Sequence, residues 1–316
     1  MNETVGFIGL GTMGLPMASN LAKAGVRLVV HDTSAGARDA AAKLGGVTVA
    51  AGAAEVATRA DILFTCLPND AIVRTAYLGE GGIASAGKRG LITCDCSTVS
   101  SEATLEVARG LAAKGITHMD TPMLGSQPQA VSGEIFFIVG GEASALERIK
   151  PCLEIMGKLH MYVGASSMGN RVKLIHNGLA AVTSVAVAEA LAVCVQSGVD
   201  PYVFYDVVRN GGGMAFGTYF DRRAKRIFDG EFSPTFMCEL MRKDAGLALD
   251  PGARLEGTRA DARGDQADVR RGGGERLGPG GLLGRHPRDR AADRPEALEE
   301  LDPCIEEDEP TLGNSS

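Results

Sequence analysis

Between residues 4 and 163, short continuous apolar runs alternate with amphipathic segments: VGFIGL, VRLVVHD, DILFTCLP, LITCDCST, ITHMD, IFFIVGG and LHMYVG are the runs. A strand that is apolar at successive positions, rather than at every second one, belongs to a sheet covered on both faces. The alternation of such strands with helical segments predicts a doubly wound α/β domain over residues 1–163. After Gly164 the period changes to that of a helix. A segment of about 30 residues ending at Gly198, with further helices over 201–210, 215–228 and 235–249, predicts an all-α domain over 164–250.

Both textures stop near Pro251. Residues 251–316 hold ten Arg and no Lys, eleven Gly, and nine of 66 residues from the Leu, Ile, Val, Met, Phe and Tyr set. That share lies below the roughly 20% at which a packed core becomes implausible, so a low-order tail is expected. The run RADARGDQADVRRGGGERLGPGG is also the vocabulary of GC-rich DNA read out of frame. A frameshift near residue 251 is therefore a second expectation for this segment.

Composition narrows the function classes. With 45% hydrophobic residues in 316, the chain has enough apolar material for a sizeable core. A net charge of -7 argues against a nucleic-acid or anionic-membrane surface and favours a small-molecule partner. The cysteines, seven in all (66, 94, 96, 152, 194, 238, 304), lie mostly in apolar runs and read as reduced core thiols. Cys94 and Cys96 share one face of a strand, yet no second pair or nearby His completes a ligand set, so no metal is expected. The opening MNETVGF lacks a basic leader, and the longest apolar stretch, around 179–195, is broken by Thr183, Ser184 and Glu189. The expected compartment is the cytoplasm, with no membrane span.

The first run leads into GLGTMG, whose glycines are Gly9, Gly11 and Gly14. GxGxxG between a strand and a helix is the dinucleotide arrangement: Gly9 for the tight turn, Gly11 for approach to a pyrophosphate, Gly14 for close helix packing. Leu10 and Met13 lie within the same loop, and the helix amino terminus faces the anion. The second strand ends at Asp32, 18 residues after Gly14. An acid there accepts hydrogen bonds from a ribose hydroxyl and repels a 2′-phosphate, which favours NAD over NADP. Arg27 and Arg38 are the cations that folding could bring near, so NADP stands as the alternative cofactor. The first domain is thus Rossmann-like.

Further motifs follow in order. FIGLGTMGLPMASNL, DCSTVS, DTPMLGSQPQAVSGEIFFIVGG, GNRVKLIHN and LMRKDAGLAL together resemble the β-hydroxyacid dehydrogenases, the family of 3-hydroxyisobutyrate dehydrogenase, tartronate semialdehyde reductase and 6-phosphogluconate dehydrogenase. The resemblance covers residues 4 to about 250. It implies a general acid/base at Lys173 with Asn177, cofactor contacts at Leu67, Pro68, Thr98 and Lys243, and a carboxylate-bearing substrate. It also implies subunit pairing through the helical domain, as a homodimer or homotetramer. The loop departs from the family's Ser-Gly-Gly: here Leu124, Gly125 and Ser126 stand instead, and Ser101 replaces a usual Pro. These departures bear on the substrate rather than the reaction.

The residues support this chemistry directly. Lys173 and Asn177 are four apart and project from one helix face, with Gly169 one turn earlier leaving that face open for a ligand. Lys173 lies in the first two turns, where helix dipole and burial both disfavour a positive charge, so its pKa is expected to fall. A neutral amine beside a substrate hydroxyl is a competent general base. His176 is a rival acid or base, more simply read as a packed neighbour. Backbone N–H groups at Gly125 and Ser126, with the hydroxyls of Ser126 and Ser97, would form a nest for the substrate carboxylate. Small residues Ala180, Ala181, Ser184 and Ala188 permit close helix packing. Two alternatives to hydroxyacid oxidation or semialdehyde reduction remain: a cofactor-binding protein without turnover, and an imine reductase on the same scaffold.

Overall fold

The computed structural model describes residues 3–211, 213–233 and 236–249. The strands β1 (Val5–Ile8), β2 (Leu28–His31), β3 (Val47–Val49), β4 (Ile62–Thr65), β5 (Ile92–Asp95) and β6 (Thr117–Asp120) lie parallel in the order 3-2-1-4-5-6. Beyond β6 the sheet becomes mixed. β8 (Ile135–Gly140) runs antiparallel to β6 with Gly140 opposite Asp120, β7 (Met123–Leu124) runs antiparallel to β8, and β9 (Gly157–Gly164) runs parallel to it. The antiparallel pairs and the short β3 and β7 do not show in the apolar pattern, because runs of two or three residues carry too little periodicity.

Continuous apolar strands feed both layers. In β1, Val5 and Phe7 enter a core shared with Met17 and Leu21, whereas Ile8 enters the opposite core with Val56, Tyr77 and Leu91. The covering helices are α1 (Gly14–Lys23), α2 (Ala35–Ala42), α3 (Ala53–Arg59), α4 (Asp70–Leu78), α5 (Ser101–Ala112), α6 (Gln127–Ser132) and α7 (Ala143–Met156). Ser34, Asn69 and Ser100 cap α2, α4 and α5 by accepting from Ala37 N, Ile72 N and Ala103 N. α1 has no such side-chain cap.

The helical part comprises α8 (Met168–Gln196), α9 (Pro201–Asn210), α10 (Thr218–Phe228) and α11 (Cys238–Leu249). Val187 and Leu191 of α8 pack with Tyr205, Phe220 and Ala224. Contrary to the expectation above, α8 is long and apolar enough to cross a membrane, by length and composition alone. Despite polar residues along it, the helix still reaches a mean hydropathy of 2.0 over 18 residues. Cys238 is exposed and so is not the core thiol it was read as, while Cys94, Cys96, Cys152 and Cys194 are buried. The expected low-order or frame-shifted segment 251–316, and with it Cys304, lies outside the described residues.

Candidate active site

The Gly-rich turn owes its shape to steric exclusion. A Cβ on Gly14 would sit 1.8 Å from the Gly9 carbonyl oxygen, and one on Gly9, at φ +92°, would sit 2.3 Å from the Cys66 carbonyl oxygen. Gly11 is different: nothing lies within 4 Å of a Cβ built there, and the residue is exposed. The protein itself does not need that glycine, so the space suits a ligand. No side chain caps α1; Leu15 N donates to the Gly11 carbonyl and Pro16 has no N–H, so an anion is left to the N–H groups of the turn that leads into the helix past Met13. Together these features fit a dinucleotide pyrophosphate. A groove of about 400 Å³ continues along the turn, lined among others by Leu10, Gly11, Thr12, Lys23 and Gln127.

Asp32 braces this turn. Its carboxylate accepts from Leu10 N at 2.7 Å and from Ser34 N at 2.7 Å, and Arg38 donates to the Asp32 carbonyl at 2.7 Å. Of the two cations considered near a 2′-phosphate, Arg38 therefore stands beside the acid. Arg27 precedes β2 and lies at the other end of that strand.

At the carboxyl ends of β4 and β5, Ser97 joins two loops. Its hydroxyl accepts from Leu67 N at 2.8 Å and donates to Asp95 at 2.5 Å. Asp95 is buried, which raises its pKa, and also accepts from the Thr65 hydroxyl. Ser97 is thus spent on positioning Leu67 and, through it, the exposed Pro68. The Thr98 carbonyl accepts from the Lys243 amine of α11. In the β7–α6 loop, Ser126 donates from both N–H and hydroxyl to Gln129 Oε1, at 2.9 and 2.6 Å. The nest read from Gly125 and Ser126 is filled by this glutamine oxygen, a partner three residues away that the loop motif did not disclose.

Lys173 and Asn177 meet α11. Asn177 donates to Asp244 at 2.7 Å, and the other Asp244 oxygen lies 3.0 Å from the Lys243 amine. Burial pulls the Lys173 pKa down to about 8; Asp244 opposes this and Lys243 reinforces it. The dipole invoked from sequence is not needed to account for the shift. Asp244, which is 1% exposed, was missed by sequence reasoning although it adjoins Lys243 within KDAGLAL. Its place beside Lys243 in that motif was the available signal. Two readings need correction. Gly169 does not open the Lys173 face to a ligand: a Cβ there would meet the Ile138 carbonyl at 2.7 Å and Asp120 at 2.8 Å, because the helix start is pressed onto the sheet. His176 is exposed rather than packed, with Nδ1 3.1 Å from Asn177 Oδ1.

The arrangement therefore joins an anion-binding turn, two loops at the carboxyl ends of β4 and β5, and a half-buried amine of lowered pKa. A family model described as the NAD binding domain of 6-phosphogluconate dehydrogenase matches residues 4–169, and one described as NAD-binding of NADP-dependent 3-hydroxyisobutyrate dehydrogenase matches 167–260. The 2-(hydroxymethyl)glutarate dehydrogenase of Eubacterium barkeri is 37% identical over 248 residues, covering 78% of this chain and 82% of the relative. The 3-hydroxyisobutyrate dehydrogenase of Pseudomonas aeruginosa is 37% identical over 256 residues, covering 78% and 84%. Among solved structures, Mycobacterium tuberculosis 3-hydroxyisobutyrate dehydrogenase with L-serine aligns at TM-score 0.74 and 30% identity, covering 85% of this chain and 96% of that one.

Proposed function

This chain belongs to the β-hydroxyacid dehydrogenase family, and on that footing we propose that it oxidises a short 3-hydroxyacid of the 3-hydroxyisobutyrate type, or reduces the matching semialdehyde, with Lys173 as general base and acid. It is an NAD(P)-dependent oxidoreductase acting on a CH–OH or aldehyde group. The observation that carries the proposal is the Lys173 amine, its pKa pulled down to about 8 by burial, flanked by Asp244 and Lys243, the latter bonded to the Thr98 loop.

Gly9, Leu10, Gly11, Met13, Gly14, Asp32, Leu67, Pro68, Thr98 and Lys243 would hold the dinucleotide. When bound, the nicotinamide accepts or donates hydride. The neutral Lys173 amine takes the substrate hydroxyl proton in oxidation, and its ammonium returns a proton to the carbonyl oxygen in reduction. Asn177, fixed by Asp244, keeps Lys173 and the hydroxyl in register. The substrate carboxylate binds at Gly125 and Ser126 by displacing the Gln129 oxygen, with Ser97 supporting the site through Leu67. The Asp32 carboxylate favours NAD, and Arg38 beside it leaves NADP usable. The relatives' dehydrogenase names favour this reading over imine reduction.

The proposed compartment is the cytoplasm, given the acidic charge and buried thiols. A homodimer or homotetramer is proposed from the outward row of α8, discussed below. The test is turnover of 3-hydroxyisobutyrate, 3-hydroxypropionate, serine, glycerate and 4-hydroxybutyrate with NAD and NADP, in wild type and Lys173→Ala. Wild type should prefer a 3-hydroxyacid with NAD, and the variant should lose about 10²–10⁴-fold in kcat while still binding NAD. A wild type that binds NAD yet turns over none of these substrates would support the alternative of a binding protein.

A further inference from the structure

The first turn of α8 has no capping side chain of its own: Ser167, at its start, has φ 74° and makes no side-chain cap bond. The cap arrives from β6 instead. Asp120 accepts from Ser167 N at 2.8 Å on one oxygen and from Asn170 N at 2.9 Å on the other. The surrounding chain is shaped for this carboxylate. A Cβ on Gly140 would lie 2.6 Å from one Asp120 oxygen, and a Cβ on Gly169 would lie 2.8 Å from the other. Asn170, fully buried, continues the link: its Oδ1 accepts from Val99 N at 3.2 Å and its Nδ2 donates to the Thr104 hydroxyl at 3.2 Å. Lys173 is the next residue but two along the same helix, so it rides on a turn pinned both to the sheet and to the loop that carries Thr98.

We propose that Asp120 is a positioning residue for the reaction: by docking the first turn of α8 through Ser167 and Asn170, it sets where the Lys173 amine stands relative to the Thr98 loop. The inference rests on Lys173 being the acid/base. Holding a buried anion here is costly, because burial pushes the Asp120 pKa up to about 6 although the Asn170 and Ser167 N–H groups pull it down, and Asp95 of β5 adds repulsion. A neutral cap would spare that cost. The carboxylate offers a separate acceptor oxygen to each N–H, whereas an amide of the same shape would turn its NH2 toward one of them.

The experiment compares wild type, Lys173→Ala, Asp120→Asn and Asn170→Ala in full-length protein. Measurements are kcat and KM against pH for alcohol oxidation, NAD affinity, and the folded fraction by circular dichroism. Among the described residues the charges that act on Lys173 are Asp244 and Lys243, both of α11 and both retained in every variant. Asp120→Asn should lower kcat by about 10–100-fold, as a misplaced catalytic group does, with NAD affinity unchanged. The limb on which its oxidation rate rises with pH should move up from about 8, because a loosened Lys173 regains solvent. Asn170→Ala, which keeps the backbone bonds to Asp120, should shift kcat and the limb in the same direction but less. A purely structural role would reduce the folded fraction and leave the limb of the surviving enzyme where it was, and that result overturns the proposal. If Asp120→Asn does not fold, Asn170→Ala alone decides: unchanged kcat and limb overturn it. Turnover surviving in Lys173→Ala overturns the acid/base assignment and this inference with it, whereas an inactive Lys173→Ala beside an unshifted Asp120→Asn overturns the positioning role alone.

Discussion

Lys173 feels two opposite charges on α11, and this makes its titration adjustable from outside the residue. The neutral amine is the form that takes a proton, so kcat/KM for alcohol oxidation should rise with pH through about 8, and the reverse reduction should fall over the same interval. Asp244 raises the Lys173 pKa and Lys243 lowers it. Asp244→Asn should therefore move the limb to lower pH, and Lys243→Met should move it higher. Each variant also costs kcat, since the first loosens Asn177 and the second frees the Thr98 loop. The direction of the two shifts, measured by pH–rate profiles, is the readout; a common direction would show that the α11 charges do not act on this amine.

The strand–turn–helix unit of β1 and α1 separates glycines that serve the fold from the glycine that serves a ligand. Gly14→Ala places a methyl against the Gly9 carbonyl, so thermal stability should fall by about 1–3 kcal/mol and NAD binding should be lost. Gly11→Ala meets nothing within 4 Å in the protein alone. Stability should stay within about 0.5 kcal/mol of wild type, while NAD affinity falls about tenfold or more. Paired melting curves and NAD titrations check both outcomes. A Gly11→Ala protein that binds NAD normally would remove the pyrophosphate from this turn.

Across the molecule, α8 presents two apolar faces with different fates. One is covered by α9 and α10 through Val187 and Leu191, and the Ser184 hydroxyl, from the small-residue row, meets the Tyr219 hydroxyl of α10 at 2.9 Å. The other carries Val172, Ile175, Leu179, Val182 and Val193 at helical spacing; Ile175 is 70% exposed, and Leu179 and Val182 are each 68% exposed. An apolar row this exposed on a protein surface marks an interaction site. Under the proposed homo-oligomer it meets a second subunit. Leu179→Glu with Val182→Glu should then reduce the mass measured by light scattering to that of one chain, with the circular dichroism spectrum retained. An unchanged mass would place the subunit contact elsewhere.

Much of this protein is written in neighbouring residues. The apolar runs, the spacing of Gly9, Gly11 and Gly14, and the four-residue interval from Lys173 to Asn177 are local patterns, and local geometry turns each into a strand, a turn or a shared helix face. These patterns alone specify the parallel strand–helix alternation, the dinucleotide turn and the long helix bearing the amine. Tertiary structure decided what joins distant positions: the antiparallel β7 and β8, Ser97 bound to Leu67, Asp244 holding Asn177, and Asp120 capping a helix that begins nearly fifty residues later. Such bonds have no period, because a buried acid takes whichever donors the packing of other elements brings within reach, and only the folded chain specifies which those are.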